Sequence, residues 1–98
     1  MFLERIKELR IKNQMPQRQL AAALEIDTAT YCKIEKGERK VKREQVEIIA
    51  QVLNTNKNEL LTLWLADKVY DVVCDEINAQ DILNVVNECI VRRYGQGI

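Results

Sequence analysis

Apolar residues return along the chain at intervals of three and four, and the count restarts at each polar or turn-forming cluster. Leu3, Ile6 and Leu9, with Arg10 beside them, mark one face of a first helix over about 2–13. Asn13 and Gln14 loosen that helix. Pro16 fits the first turn of a second, about 16–24, where its missing N–H is not needed. This second helix turns Leu20, Ala21 and Leu24 inward, and its three consecutive alanines favour helix while keeping the surface thin enough for a close neighbour. Glu25–Ile26–Asp27 forms a short break, and Asp27 is a good N-cap whose carboxylate suits the positive end of the next helix. A third helix, about 28–36, turns Tyr31 and Ile34 inward and stops at Gly37, which adopts a left-handed helix end without strain. Val46, Ile49, Ala50 and Leu53 repeat the pattern in a fourth helix, about 42–53, and Asn56 stands ready to cap a fifth.

From Lys57 to Ile77 there is no Gly or Pro, and Leu60, Leu61, Trp64, Lys68, Val69, Val72, Val73 and Ile77 follow one stripe. This predicts a single long helix, bent near Asp67, with Trp64 as a core anchor. Asn78–Gln80 breaks it, and a last helix over about 81–94 carries Ile82, Val85, Val86, Cys89, Ile90 and Tyr94 on one face. The β-branched content of that segment leaves a strand as the alternative. Gly95–Ile98 is expected to fray. The pattern as a whole predicts an all-α chain.

Composition narrows the chemistry. A chain of 98 residues builds one compact domain and little more. It has no Ser and no His, which excludes Ser–His and Cys–His nucleophile pairs. Its three glycines, Gly37, Gly95 and Gly97, form no phosphate-binding loop. Cys32, Cys74 and Cys89 have no metal-ligand spacing and are expected as small buried thiols in a reducing compartment. No enzyme activity, metal, cofactor or small-molecule effector is therefore expected. Apolar runs are too short to span a bilayer and no secretion signal opens the chain, so a cytoplasmic protein without membrane attachment is expected.

Net charge is zero but unevenly placed. Residues 33–43 hold Lys33, Lys36, Arg39, Lys40, Lys42 and Arg43 against Glu35 and Glu38, while acids outnumber bases after residue 66. A local excess of this kind serves a polyanion even in a neutral protein. A short helix, a three-residue turn and a second short helix form a helix-turn-helix unit, whose second helix enters the DNA major groove by its N-terminal end. Base-edge reading then falls to Thr28, Ala29, Thr30 and Lys33. On residue type alone, Thr28 and Thr30 read first as helix-start residues, and Lys33 and Lys36 as a solvated face. Tyr31 reads as core in preference to a base-stacking ring.

The stretches "PQRQLAAAL" at 16–24, "TATYCKIEKGERK" at 28–40 and "IIAQVLN" with "NELL" after it resemble the Cro/repressor-type, or XRE, helix-turn-helix family over about residues 3–66. The resemblance implies a five-helix DNA-binding domain over residues 1–66. It implies base reading by Thr28, Ala29 and Lys33, with Thr30 beside them. It implies that Gln17 bonds a phosphate or braces the reading helix, and that Lys36, Arg39, Lys40 and Arg43 grip the backbone. It also implies an ion pair, Arg10 with Glu35, tying the first helix to the third. Glu25 departs from the glycine common in the family's turn, and Pro16 replaces the usual hydroxyl cap.

Family members commonly act as dimers, and the apolar stripes of residues 67–98 exceed what one domain needs for its own core. A dimerisation extension through Val69, Val72, Val73, Ile82, Val85, Val86 and Ile90 is expected, on a palindromic operator. The segment "LLTLWLADKVYDVV" resembles a branch that controls restriction-modification genes. The competing expectation is an antitoxin or adaptor whose C-terminal part holds a protein partner.

Overall fold

The computed structural model describes residues 1–96, and six helices are present among them: α1 (Phe2–Lys12), α2 (Gln17–Ala23), α3 (Thr28–Glu35), α4 (Arg43–Val52), α5 (Lys57–Val73) and α6 (Ala79–Gln96). No strand occurs among the described residues, so the β-branched residues of α6 adopt helix. The chain forms two compact units, Met1–Asp67 and a second beginning at Lys68, with α5 running unbroken through the boundary.

In the first unit, spacing becomes packing. Phe2, Ile6 and Leu9 of α1 and Val46, Ile49, Ala50 and Leu53 of α4 recur every three or four residues and are all buried. They join Leu20 and Ala21 of α2, Tyr31 and Ile34 of α3, and Leu60 and Leu61 of α5 in one core. Burying each Leu, Ile or Val here contributes about 1.5–3 kcal/mol. Trp64 packs against this core half-buried, as its place in the stripe requires. The part of α5 up to Asp67 is tied to α1 by polar contacts as well. Arg5 Nε donates to Glu59 Oε1 at 3.1 Å, and the Asp67 carboxylate accepts the Phe2 N–H at 2.9 Å, satisfying a free donor at the start of α1.

Helix starts follow the expected caps. Asp27 Oδ1 accepts from the Thr30 N–H at 2.6 Å, and Asn56 Oδ1 from the Asn58 and Glu59 N–H groups at 2.7 and 3.2 Å. Pro16 lies just before α2 in an extended conformation (ψ 153°), so that helix begins without a side-chain cap. At α4 only the returning half of a capping box exists. Gln45 Oε1 accepts from the Lys42 N–H at 2.9 Å, whereas the lysine ammonium has no lone pair to offer in exchange.

Helices α1 to α4 end alike. The residues after their C-caps, Gln14, Glu25, Gly37 and Asn54, have φ of 54°, 58°, 79° and 53°. Each end carries the paired hydrogen bonds that close a helix with a left-handed residue, for example Glu25 N to Ala22 O (3.1 Å) and Ile26 N to Ala21 O (3.0 Å). Only Gly37 adopts this conformation freely; a Cβ there would meet nothing closer than Leu3 Cδ1 at 3.5 Å, so backbone conformation, not space, selects glycine.

Several expectations change. α5 ends at Val73, four residues before Ile77, which lies exposed in the following turn. Asp71, Asp75 and Glu76 gather negative charge where the helix dipole is already negative, and this opposes continuation. α6 starts at Ala79 and includes Gly95 and Gln96, so the expected fraying is not seen there; Gly97 and Ile98, and the side chain of Tyr94, lie outside the described residues. Val73, expected among the dimerisation residues, is buried within the single chain, at 6% exposure. Cys74 and Cys89 are exposed and Cys32 is half-buried, which corrects the expectation of three buried thiols. Cys74 sits just past the end of α5, and Cys89 lies on α6 next to the exposed Ile90.

Candidate nucleic-acid interface

The candidate surface is built on α3, and what holds α3 is an ion pair beneath it. Arg10 Nε and Nη2 donate to Glu35 Oε2 and Oε1 at 2.8 and 3.2 Å, a two-pronged contact between α1 and the last residue of α3. The remaining nitrogen, Nη1, donates to the Met15 carbonyl at 3.0 Å, so one guanidinium also fixes the turn that closes α1. Gln17 Nε2, at the first position of α2, donates to Glu35 Oε1 at 3.2 Å. The two charged side chains retain only 14% and 4% exposure. Burial by itself would raise the Glu35 carboxyl; the hydrogen bond from Arg10, the nearby Tyr31 hydroxyl, the hydrogen bond from Gln17 and the Arg10 charge outweigh it and leave the pKa below its ordinary value.

Tyr31 lies under the same helix. Its hydroxyl is buried and makes no hydrogen bond of ordinary geometry, yet it stands close enough to Glu35 for the carboxylate to act on it. Burial and that neighbouring negative charge push its pKa well above 10.0. Tyr31 is therefore a core ring and is closed to base stacking.

Above this base the tip of α3 stands open. Thr28 and Ala29 are exposed, Lys33 is exposed one turn along, and Thr30 is half-buried. Asp27 caps the tip from the exposed side. The side chain and backbone N–H of Thr30, followed by the charges of Lys33 and Arg39, hold its carboxyl below the usual value. Lys33 and Arg39, six residues apart on opposite sides of Gly37, thus act on the same end of α3. Lys36, Lys40, Lys42 and Arg43 are likewise exposed. Among the described residues, none of these six cations is engaged in an ion pair within the chain. Such cations remain available to a polyanion, and Lys33 and Arg39 lie near enough to the open tip for their charges to act on Asp27.

Gln17 takes the bracing role: one N–H of its amide is committed to Glu35, which leaves the second N–H as the donor for any phosphate contact. The Met15 carbonyl as a second partner of Arg10 was not anticipated, and no residue-type signal marks a backbone acceptor. Of the residues assigned to dimerisation, Val69, Val72, Val85, Val86 and Ile90 are exposed and Ile82 is half-buried. No group of three His, Cys, Asp or Glu able to hold a metal occurs among the described residues, and no helix there is long and apolar enough to cross a membrane.

An all-helical unit with this braced, cation-flanked helix is of the DNA-binding kind. The family model described as "Helix-turn-helix" matches residues 6–60, more than half the chain, and the protein belongs to that family of Cro/repressor-type DNA-binding regulators. No curated protein and no solved structure matches the chain.

Proposed function

We propose that the protein is a transcription regulator, acting chiefly as a repressor, that binds a palindromic operator as a homodimer. Residues 1–66 serve as the DNA-binding domain and 67–98 as the dimerisation extension. Thr28, Ala29, Thr30 and Lys33 face base edges, and Lys36, Arg39, Lys40 and Arg43 hold phosphates on either side. The observation that carries this reading is the exposed α3 tip with Lys33 and Arg39 near it, seated on the Arg10–Glu35–Gln17 brace. Two copies would place their α3 helices in successive major grooves, about 34 Å apart. The exposed apolar residues Val69, Val72, Val85, Val86 and Ile90 supply the surface for the join. Control of restriction-modification genes is the narrower form of this proposal, and rests on the resemblance of residues 60–73 alone.

A duplex selected from a random pool should bind the full chain with steep salt dependence and two related half-sites one turn apart. Sedimentation should give a dimer that Val72→Glu with Val86→Glu converts to monomer. A stoichiometric protein partner together with no affinity for any duplex at low salt would overturn the reading in favour of an adaptor or antitoxin.

A further inference from the structure

The tip of α3 is poor in hydrogen-bonding groups and rich in methyls. Thr28 and Ala29 are the exposed residues of its first turn. Thr30 is half-buried, and the exposed Asp27 carboxylate engages its side chain, so its hydroxyl is already occupied within the helix start. That leaves one hydroxyl, on Thr28, and one ammonium, on Lys33, as polar readers. Lys33 suits the O6/N7 edge of guanine; Ala29 offers only a methyl, and Thr28 a methyl beside its hydroxyl. Short side chains also demand that the helix end approach closely, because neither residue reaches a base edge across a gap. In the major groove the one apolar feature of a base pair is the C5-methyl of a pyrimidine.

We infer that Thr28 and Ala29 select base pairs bearing a C5-methyl group, so that binding depends on the methyl itself and not only on the identity of the pair. This rests on the DNA-binding reading above and names what the same surface recognises. Two sources carry the same chemistry: thymine, and cytosine methylated at C5. A tip of this composition accepts either, which makes the protein responsive to cytosine methylation wherever its site places a cytosine under α3.

The test uses the full chain and the duplex it enriches most from a random pool. Each thymine of a half-site is replaced in turn by deoxyuridine, which removes only the methyl. Each cytosine is replaced in turn by 5-methylcytosine, which adds only a methyl. At one or two adjacent positions per half-site, deoxyuridine is expected to weaken binding about fourfold per methyl, the equivalent of about 0.8 kcal/mol for a buried CH2. Where that position holds cytosine instead, 5-methylcytosine should strengthen binding by a similar factor. In Thr28→Ser and Ala29→Gly the ratio between methylated and unmethylated duplexes should fall towards one; because both duplexes meet the same variant, loss of fold stability does not imitate this result. Equal affinity for thymine and deoxyuridine, and for cytosine and 5-methylcytosine, at every position would overturn the inference while leaving the regulator reading intact. Failure to enrich any duplex would overturn both.

Discussion

Removing the charge from Glu35 while keeping its shape is the sharpest probe of how α3 is held. Glu35→Gln leaves the Arg10 guanidinium at 14% exposure, without a counter-charge, beside an amide that still accepts one hydrogen bond. Breaking a fully buried pair costs about 3–5 kcal/mol. Arg10 keeps some solvent and its bond to the Met15 carbonyl, so the lower end applies, about 3 kcal/mol. At about 4–8 °C per kcal/mol for a domain of this size, the midpoint of thermal unfolding should fall by about 12–24 °C. The double replacement Arg10→Met with Glu35→Leu removes both charges together and should recover most of the loss. Urea unfolding followed by circular dichroism, run as a double-mutant cycle, measures both effects. A cost below about 1 kcal/mol for Glu35→Gln, or a double variant as unstable as the two single losses added, would refute a mostly buried, mutually dependent pair. Acid adds an independent arm. The Glu35 carboxyl is held below its ordinary value of 4.5, so its contribution to stability is complete above that pH and is lost as pH falls through the lowered folded value. Stability should be flat from neutral pH down to about pH 5 and decline below, and Glu35→Gln should flatten part of that decline.

Four further outcomes follow from the same structure. Glu25→Asn should raise stability by about 1 kcal/mol in urea unfolding, since φ is 58° there and Asn tolerates left-handed backbone; Gly37→Ala should lower it by a similar amount. Tyr31→Phe should change stability by under about 1 kcal/mol, because the hydroxyl makes no ordinary hydrogen bond; a loss above about 2 kcal/mol would show that it does. Above pH 10 the wild type should lose stability that Tyr31→Phe retains, as the raised Tyr31 value makes ionisation costly in the folded state. Lys33→Ala should relax base preference at one position per half-site, whereas Arg43→Ala should weaken all duplexes alike and lower the salt slope by about one, both read from binding titrations at several salt concentrations.

Local signals were legible because their physics is local. Apolar spacing, the Asp27 and Asn56 caps and the Gly37 stop concern residues within one or two turns, and the helices lie within a few residues of where these place them. The Arg10–Glu35 pair was reached through family resemblance, because nothing within either helix announces a partner 25 residues away. The geometry around it, with Met15 and Gln17 completing the donors and acceptors, depends on three helices meeting. The left-handed end at Gln14 was not legible either, since glutamine has no local preference for that conformation, unlike Asn54.

What the sequence determined by itself was an all-helical chain with a short helix of small and basic residues set after a capped turn. Tertiary structure alone decided which charges were buried and which stayed free, since ion pairing depends on distance in space. It also decided the fate of each apolar residue in the C-terminal stripes. Val72 and Val73 are neighbours of identical chemistry, yet one is exposed and the other buried, because successive side chains on a helix point about 100° apart and only packing chooses the covered face.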